Sequence, residues 1–168
     1  MDEVQVGTVR VLADGSFEGT LQRAYEGHDI AEVWRMLTEP ASIALWIAPG
    51  TIDLKLGGSV RIDFGDSGIK IDSLVTEIEP GKVLAYSWSS AGEPERLLRW
   101  SLAARPDAAL LTLKVHIPAA EDAAKACGGF EGHLEMLAAA LEGVPMKFPF
   151  DLFLKARAAY KQQLQPSA

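Results

Sequence analysis

The stretch "GGFEGHLEMLAAALEG", residues 128–143, reads as a helix although it opens on two glycines. Phe130, Leu134, Leu137 and Leu141 recur at helical spacing and form one apolar stripe. Gly128, Gly129 and Gly132 interrupt the same stretch, each at a cost of about 1 kcal/mol relative to alanine in a helix. With the preceding "AAEDAAKAC" it makes the longest helical pattern in the chain, stopped by Gly143 as a C-cap. Glycines on such a helix predict either a close approach of its backbone to a sheet or a bend where it enters one.

The sheet is legible upstream. "VQVGTVRVL" (4–12) is strand-like, and "ADGS" carries the Asp-Gly of a hairpin turn. "FEGTLQRAYEG" continues as a strand with Phe17, Gly19, Leu21, Arg23 and Tyr25 on one side, so its alternation is imperfect. "DIAEVWRMLTEP" is a short helix with Asp29 and Glu32 placed as a capping box. "ASIALW" is a second one, which Thr38 is placed to cap, with Pro40 in its first turn. From 50 to 117, short alternating runs are separated by turn residues. Val60, Ile62 and Phe64 share one side, as do Leu84, Tyr86 and Trp88, then Leu98, Trp100 and Leu102, then Leu111, Leu113 and Val115. Short connections between such runs mean an antiparallel meander with one apolar face. The long helix is the one element large enough to cover that face. The expected fold is α+β: a curved antiparallel sheet wrapped around a long C-terminal helix, with two short helices after the early strands.

The chain's 168 residues suit a single domain over 1–168, with a core at 17–143 and two additions, strand 4–12 and helix 150–164. "DLFLKARAAYKQQL" in that last segment is amphipathic, and its pattern fits either packing on its own domain or a homodimer contact. A net charge of −7 with scattered basic residues argues against nucleic acid. No apolar run reaches the roughly 20 residues of a membrane helix, and no signal or transit peptide is evident, so the expected location is cytoplasmic. The single cysteine, Cys127, excludes an intrachain disulfide and a Cys-cluster metal site, and reads as buried filler. No cofactor or metal is expected.

Taken in order, "VWRMLTEPASIALW", "GG" before a strand, "EIEPGKVLAYSW", "LTL" and "GGFEGHLEMLAAALEG" resemble the SRPBCC (START-like, birch-pollen-allergen-like) superfamily. Within it they look like the homologues of the activator of the ninety-kilodalton heat-shock protein ATPase. Gly129, Phe130, His133, Leu134, Leu137 and Leu141 fall on that family's pattern at the long helix, with Phe130 where tryptophan is common. Ser73 stands where a glycine is frequent. The resemblance implies a helix-grip fold with a cavity between the helix and the concave sheet. It implies binding of a small hydrophobic or amphipathic ligand there, or alternatively regulation of a heat-shock chaperone through a surface, or a cavity enzyme of lyase or cyclase type.

The candidate ligand-binding residues are Phe64, Tyr86, Trp88, Trp100, Phe130, His133, Leu134 and Leu137, since apolar pockets are walled by such side chains with few polar groups. No catalytic residue is assigned. His28, His116 and His133 are the acid–base candidates, each expected in a structural or solvated role, with His28 at a solvated junction. Glu131 and Glu135 are expected to face solvent. Arg61, Arg96 and Arg99 are candidates to anchor a ligand carboxylate, but Arg61 and Arg99 lie on the parity opposite the apolar side, where a solvated face is expected. "GDSG" (65–68) joins two short strands and reads as a turn, without the context of a nucleophile.

Overall fold

The computed structural model describes residues 5–165. The strands are β1 (Thr8–Val11), β2 (Phe17–Glu26), β3 (Gly50–Ile52), β4 (Ser59–Asp63), β5 (Lys70–Glu79), β6 (Val83–Ser87), β7 (Leu97–Arg105) and β8 (Ala108–Ile117). The helices are α1 (Ile30–Thr38), α2 (Pro40–Trp46), α3 (Ala123–Leu141) and α4 (Phe150–Leu164). The strands form one eight-stranded sheet in the order β1-β2-β8-β7-β6-β5-β4-β3. Every neighbouring pair is antiparallel. The long β2–β8 ladder, Phe17↔Ile117 to Glu26↔Ala108, joins the β1–β2 hairpin to the last strand of the β3–β8 meander. A register shift between Val75 and Glu77 bends β5, as a bulge does. The expected α+β grip is what forms. Val4, the first residue of the expected N-terminal strand, lies outside the described residues.

Local chemistry explains the helix boundaries. Asp29 accepts from the Glu32 amide at 2.9 Å, and the Glu32 carboxylate returns to the Asp29 amide at 3.2 Å, a complete capping box. Thr38 does not cap α2. Its hydroxyl donates to the Trp34 carbonyl at 2.8 Å inside α1, and Glu39 occupies the cap position without a side-chain bond. Asp122 caps α3 through the Lys125 amide at 3.0 Å. Gly143, at φ 75°, ends it, with the Val144 amide bonded back to the Ala139 carbonyl.

α3 is buried on two sides, and this revises the reading of its glycines. Its stripe of Phe130, Leu134 and Leu137 meets the sheet. Gly128 and Gly132 instead face the C-terminal segment. A Cβ on Gly128 would lie 3.1–3.2 Å from the Arg157 backbone and Cβ in α4, and one on Gly132 would lie 2.7 Å from the Phe148 ring. Gly129 has nothing within 4 Å of that position. The close approach to the sheet is made by a sheet glycine: a Cβ on Gly19 would come 2.7 Å from the sulfur of Cys127. Cys127 is fully buried, and burial followed by the nearby Glu131 charge pushes its thiol up to about 12, as suits a filler.

Arg23 explains the broken alternation of β2. It points inward because α3 supplies it with carboxylates: Glu131 at 3.0 Å and Glu135 at 2.8 Å. Glu131 is therefore not a solvent-facing residue. It is 2% exposed, and its other oxygen accepts from the Tyr160 hydroxyl at 2.5 Å and from the Gly7 amide at 2.9 Å. Burial, then the Glu131 charge, raises Tyr160, so its hydroxyl stays protonated and donates. Gln163 continues the clamp, accepting from the Val9 amide and donating to the Gly7 carbonyl, both at 2.9 Å. One edge of the sheet is thereby covered. Helix α4 packs on α3 and β1, with Ala156 and Tyr160 wholly buried.

Candidate functional site

Beyond the packed centre of the grip, the sheet and α3 diverge around a cavity of about 740 Å³. Phe64 follows β4, Trp88 follows β6, and Phe130 and His133 project from one side of α3. Their rings form a closed circuit. Centroids lie 5.8 Å apart for Phe64–Trp88, 5.5 Å for Trp88–Phe130, 6.5 Å for Phe130–His133 and 6.3 Å for His133–Phe64. These spacings are those of interacting aromatic pairs. Ile69, Ile71 and, from α4, Phe153 complete the apolar lining. Gly129 contributes space by having no side chain.

The opposite rim is charged. Arg96 grips Glu121 with a two-pronged contact, Nε to Oε1 at 2.7 Å and a terminal nitrogen to Oε2 at 2.8 Å. That hydrogen bonding lowers the Glu121 carboxyl below its ordinary range. Lys125 and Asp122 border the same side. Arg61 and Arg99 lie outside the cavity, beside Asp72 and Glu77 respectively.

His133 is the polar side chain among the four rings. Its Nδ1 is 2.8 Å from the Trp46 carbonyl oxygen at the end of α2. A carbonyl only accepts, so Nδ1 carries the proton. Burial depresses its basicity, partly opposed by that hydrogen bond, and keeps the ring neutral near pH 7.

The eight residues singled out by sequence divide evenly. Phe64, Trp88, Phe130 and His133 stand on the cavity wall. Tyr86, Trp100, Leu134 and Leu137 are each at most 1% exposed and sit in the packed core beneath it. Trp100 packs edge-on against Trp46 at 5.7 Å, filling the space where α2 crosses the sheet. Arg96, weighed as a carboxylate anchor, lies on the rim, and Glu121, Gly129 and Phe153 line the cavity without having been expected there. Phe153 depends on how α4 docks, which periodicity alone does not encode. Gly129 was the more legible, as an unexplained glycine on the gripped helix.

The remaining histidines lie elsewhere. His116 is 3.2 Å from the Ser16 hydroxyl. His28 is not solvated: its side chain is 13% exposed and bridges Glu32 at 2.8 Å and Glu142 at 3.0 Å, tying the start of α1 to the end of α3. Hydrogen bonding to Glu32, then Glu142, raises its pKa above the ordinary 6.5. The folded state thus holds the proton more tightly than the unfolded chain. The stabilisation is complete below the unfolded value and fades as pH rises through the folded one. In urea melts between about pH 5.5 and 8.5, His28→Gln is expected to lose most stability relative to wild type at the acid end, and the gap to close at the alkaline end. A gap independent of pH would contradict this.

Among the described residues, no cluster of His, Cys, Asp or Glu is placed to hold a metal, and no helix is long and apolar enough to cross a membrane.

A curved antiparallel sheet closed on a long helix, with a cavity where the two part, defines the helix-grip class. The chain belongs to the family described as activator of Hsp90 ATPase homolog 1-like protein, whose pattern matches residues 28–142. Solved structures agree on the fold. CalU16 from Micromonospora echinospora is 20% identical with a TM-score of 0.75, over 95% of this chain and 96% of that one. EF2215 from Enterococcus faecalis, a conserved protein of unknown function, is 20% identical with a TM-score of 0.78, over 94% and 90%. The Aha1 dimer from Colwellia psychrerythraea is 16% identical with a TM-score of 0.61, over 74% and 96%. No curated protein sequence matches the chain.

Proposed function

We propose that this protein binds a small, largely apolar or amphipathic molecule in the cavity between α3 and the β4–β6 end of the sheet. The observation that carries the reading is the aromatic circuit of Phe64, Trp88, Phe130 and His133 around about 740 Å³ of space, with the Arg96–Glu121 pair on its rim. Pockets of this size, apolar with a few placed polar groups, are the usual form of small-molecule sites.

Thermal denaturation against a panel of hydrophobic and amphipathic compounds tests it. A ligand at a hundred times its Kd stabilises the fold by about 2.7 kcal/mol, which for a chain of this size is roughly 5–10 °C in Tm. Gly129 supplies the control. Gly129→Ala is expected to leave stability unchanged or raise it by up to about 1 kcal/mol, because nothing stands within 4 Å of the new methyl group. Gly129→Leu is expected to fold and to abolish the ligand-induced shift by occupying the cavity. A panel without a single shift in the wild type, or equal shifts in Gly129→Leu, would count against the proposal.

Regulation of a chaperone ATPase, the activity in the family's description, has one observation in its favour. Val144, Phe150 and Leu154 around the start of α4 are 65%, 60% and 46% exposed, an apolar row available to a protein surface. Added in excess to a purified ninety-kilodalton heat-shock chaperone, the protein changes the rate of ATP hydrolysis under that reading and leaves it unchanged under ours.

A further inference from the structure

We infer that the cavity takes a flat aromatic ligand bearing a hydroxyl group, and that Nε2 of His133 accepts the hydrogen bond from that hydroxyl. The inference rests on the cavity reading and gives it a ligand chemistry.

Three observations converge on it. The first is the direction of the Trp46 bond. Because the carbonyl at 2.8 Å must accept, His133 donates through Nδ1, and the lone pair of the neutral ring is left on Nε2. The second is that Nε2 has no partner among the described residues, while the ring lines the cavity. A neutral histidine whose donor is committed to the backbone is an acceptor for whatever enters. The third is the shape of the surroundings. Phe64, Trp88 and Phe130 present faces and edges on several sides of the histidine, and such edges and faces favour another aromatic ring in tilted or offset contact.

The carboxylates that border the cavity belong to its charged rim, where protein groups already bond to them. Both Glu121 oxygens are held by Arg96. Asp122 accepts from the Lys125 amide and from Arg157, and Glu93 from the Ser90 amide. Among the four rings the phenylalanines carry no acceptor and the indole N–H only donates, so the histidine is the acceptor that a hydroxyl buried among them meets. An alkyl chain would forgo the ring contacts. A ligand without a donor would leave Nε2 desolvated and unpaired, which disfavours it against the hydroxylated one.

The experiment uses 2-naphthol and its methyl ether, 2-methoxynaphthalene, which have the same ring system and differ in the donor. Calorimetric titration of the wild type is expected to show 2-naphthol binding about tenfold more tightly, the effect of one buried hydrogen bond. His133→Asn keeps an amide N–H where Nδ1 donates to Trp46, and its shorter side chain places no acceptor at the Nε2 position. It is expected to bind the ether as the wild type does and to lose the preference for the naphthol. Nitrogen-15 NMR of the wild type supplies an independent readout, since the His133 Nε2 resonance moves upfield when its lone pair accepts a hydrogen bond. Equal affinity for the two compounds in the wild type, or a preference retained by His133→Asn, overturns the inference and leaves the cavity reading standing. Binding of neither compound, with the wild type indistinguishable from Gly129→Leu, overturns the cavity reading and the inference together.

Discussion

Glu131→Ala is expected to lose about 3 kcal/mol or more of unfolding free energy, because it removes one partner from a buried charged network. The carboxylate is 2% exposed and serves three donors: Arg23 at 3.0 Å, the Tyr160 hydroxyl at 2.5 Å and the Gly7 amide at 2.9 Å. Alanine leaves the Tyr160 hydroxyl without its acceptor, the Gly7 amide with the Tyr160 oxygen alone at 2.9 Å, and Arg23 with Glu135 as its one remaining carboxylate. A buried polar group without a partner costs about 1–3 kcal/mol, and here the loss of one of the two carboxylates paired with Arg23 adds to it. Glu131→Gln, which retains an acceptor oxygen and the volume, is expected to cost less. The same carboxylate joins three distant parts of the chain: the residues before β1, the β2 strand and α4. Hydrogen exchange should therefore quicken at the Gly7 and Val9 amides in Glu131→Ala. An alanine variant as stable as wild type in urea would show that α4 and β1 are held by their apolar contacts alone.

Trp100→Ala should lose about 3–5 kcal/mol, the range for removing a large buried aromatic side chain. Trp100 is 1% exposed and packs edge-on against Trp46 at 5.7 Å and near Phe130 at 6.5 Å, so it contacts α2 and α3 from the sheet. Its indole N–H is buried beside Tyr86 and makes no hydrogen bond of good geometry among the described residues. Phenylalanine removes that unsatisfied donor along with part of the volume, so the two effects of Trp100→Phe oppose each other. It is expected to cost much less than alanine. Equal losses for phenylalanine and alanine would mean that the indole N–H has a partner, and that Trp100 is more than a packing residue. Both variants should still bind a cavity ligand below their Tm, since Trp100 lies beneath the wall and not on it.

Both predictions turn on residues whose types were plain from sequence and whose roles were not. Trp100 reads as an inward strand residue, and it is one. Whether an inward aromatic touches ligand or core depends on how far α3 has diverged from the sheet at that point, and no periodicity carries that distance. Glu131 lies one position from Phe130, which on a helix covered on one side would turn it toward solvent. Docking of α4 against the other side of α3 buries it instead. One signal for this was present in β2. Arg23 lies on the inward parity of a buried strand, and an inward arginine requires a carboxylate from the element packed above it. The glycines of α3 followed the same logic. Their presence announced close contact, but Gly128 and Gly132 meet α4 and its leader, while Gly129 meets open space.

By itself the sequence determined the elements, their order and the grip. Alternation in the strands, the Asp29–Glu32 box, the Asp-Gly turn and the Gly143 stop are local properties, each set by residues within a few positions of one another. The tertiary structure alone decided which half of the candidate side chains became cavity wall, which carboxylate was buried, and which nitrogen of His133 was left free. Each of those depends on two residues far apart in the chain: Glu131 and Tyr160, Phe64 and Trp88, His133 and Trp46. Their separations follow from the register of the sheet and the docking of two helices against each other, and those are settled by the packing of the whole core.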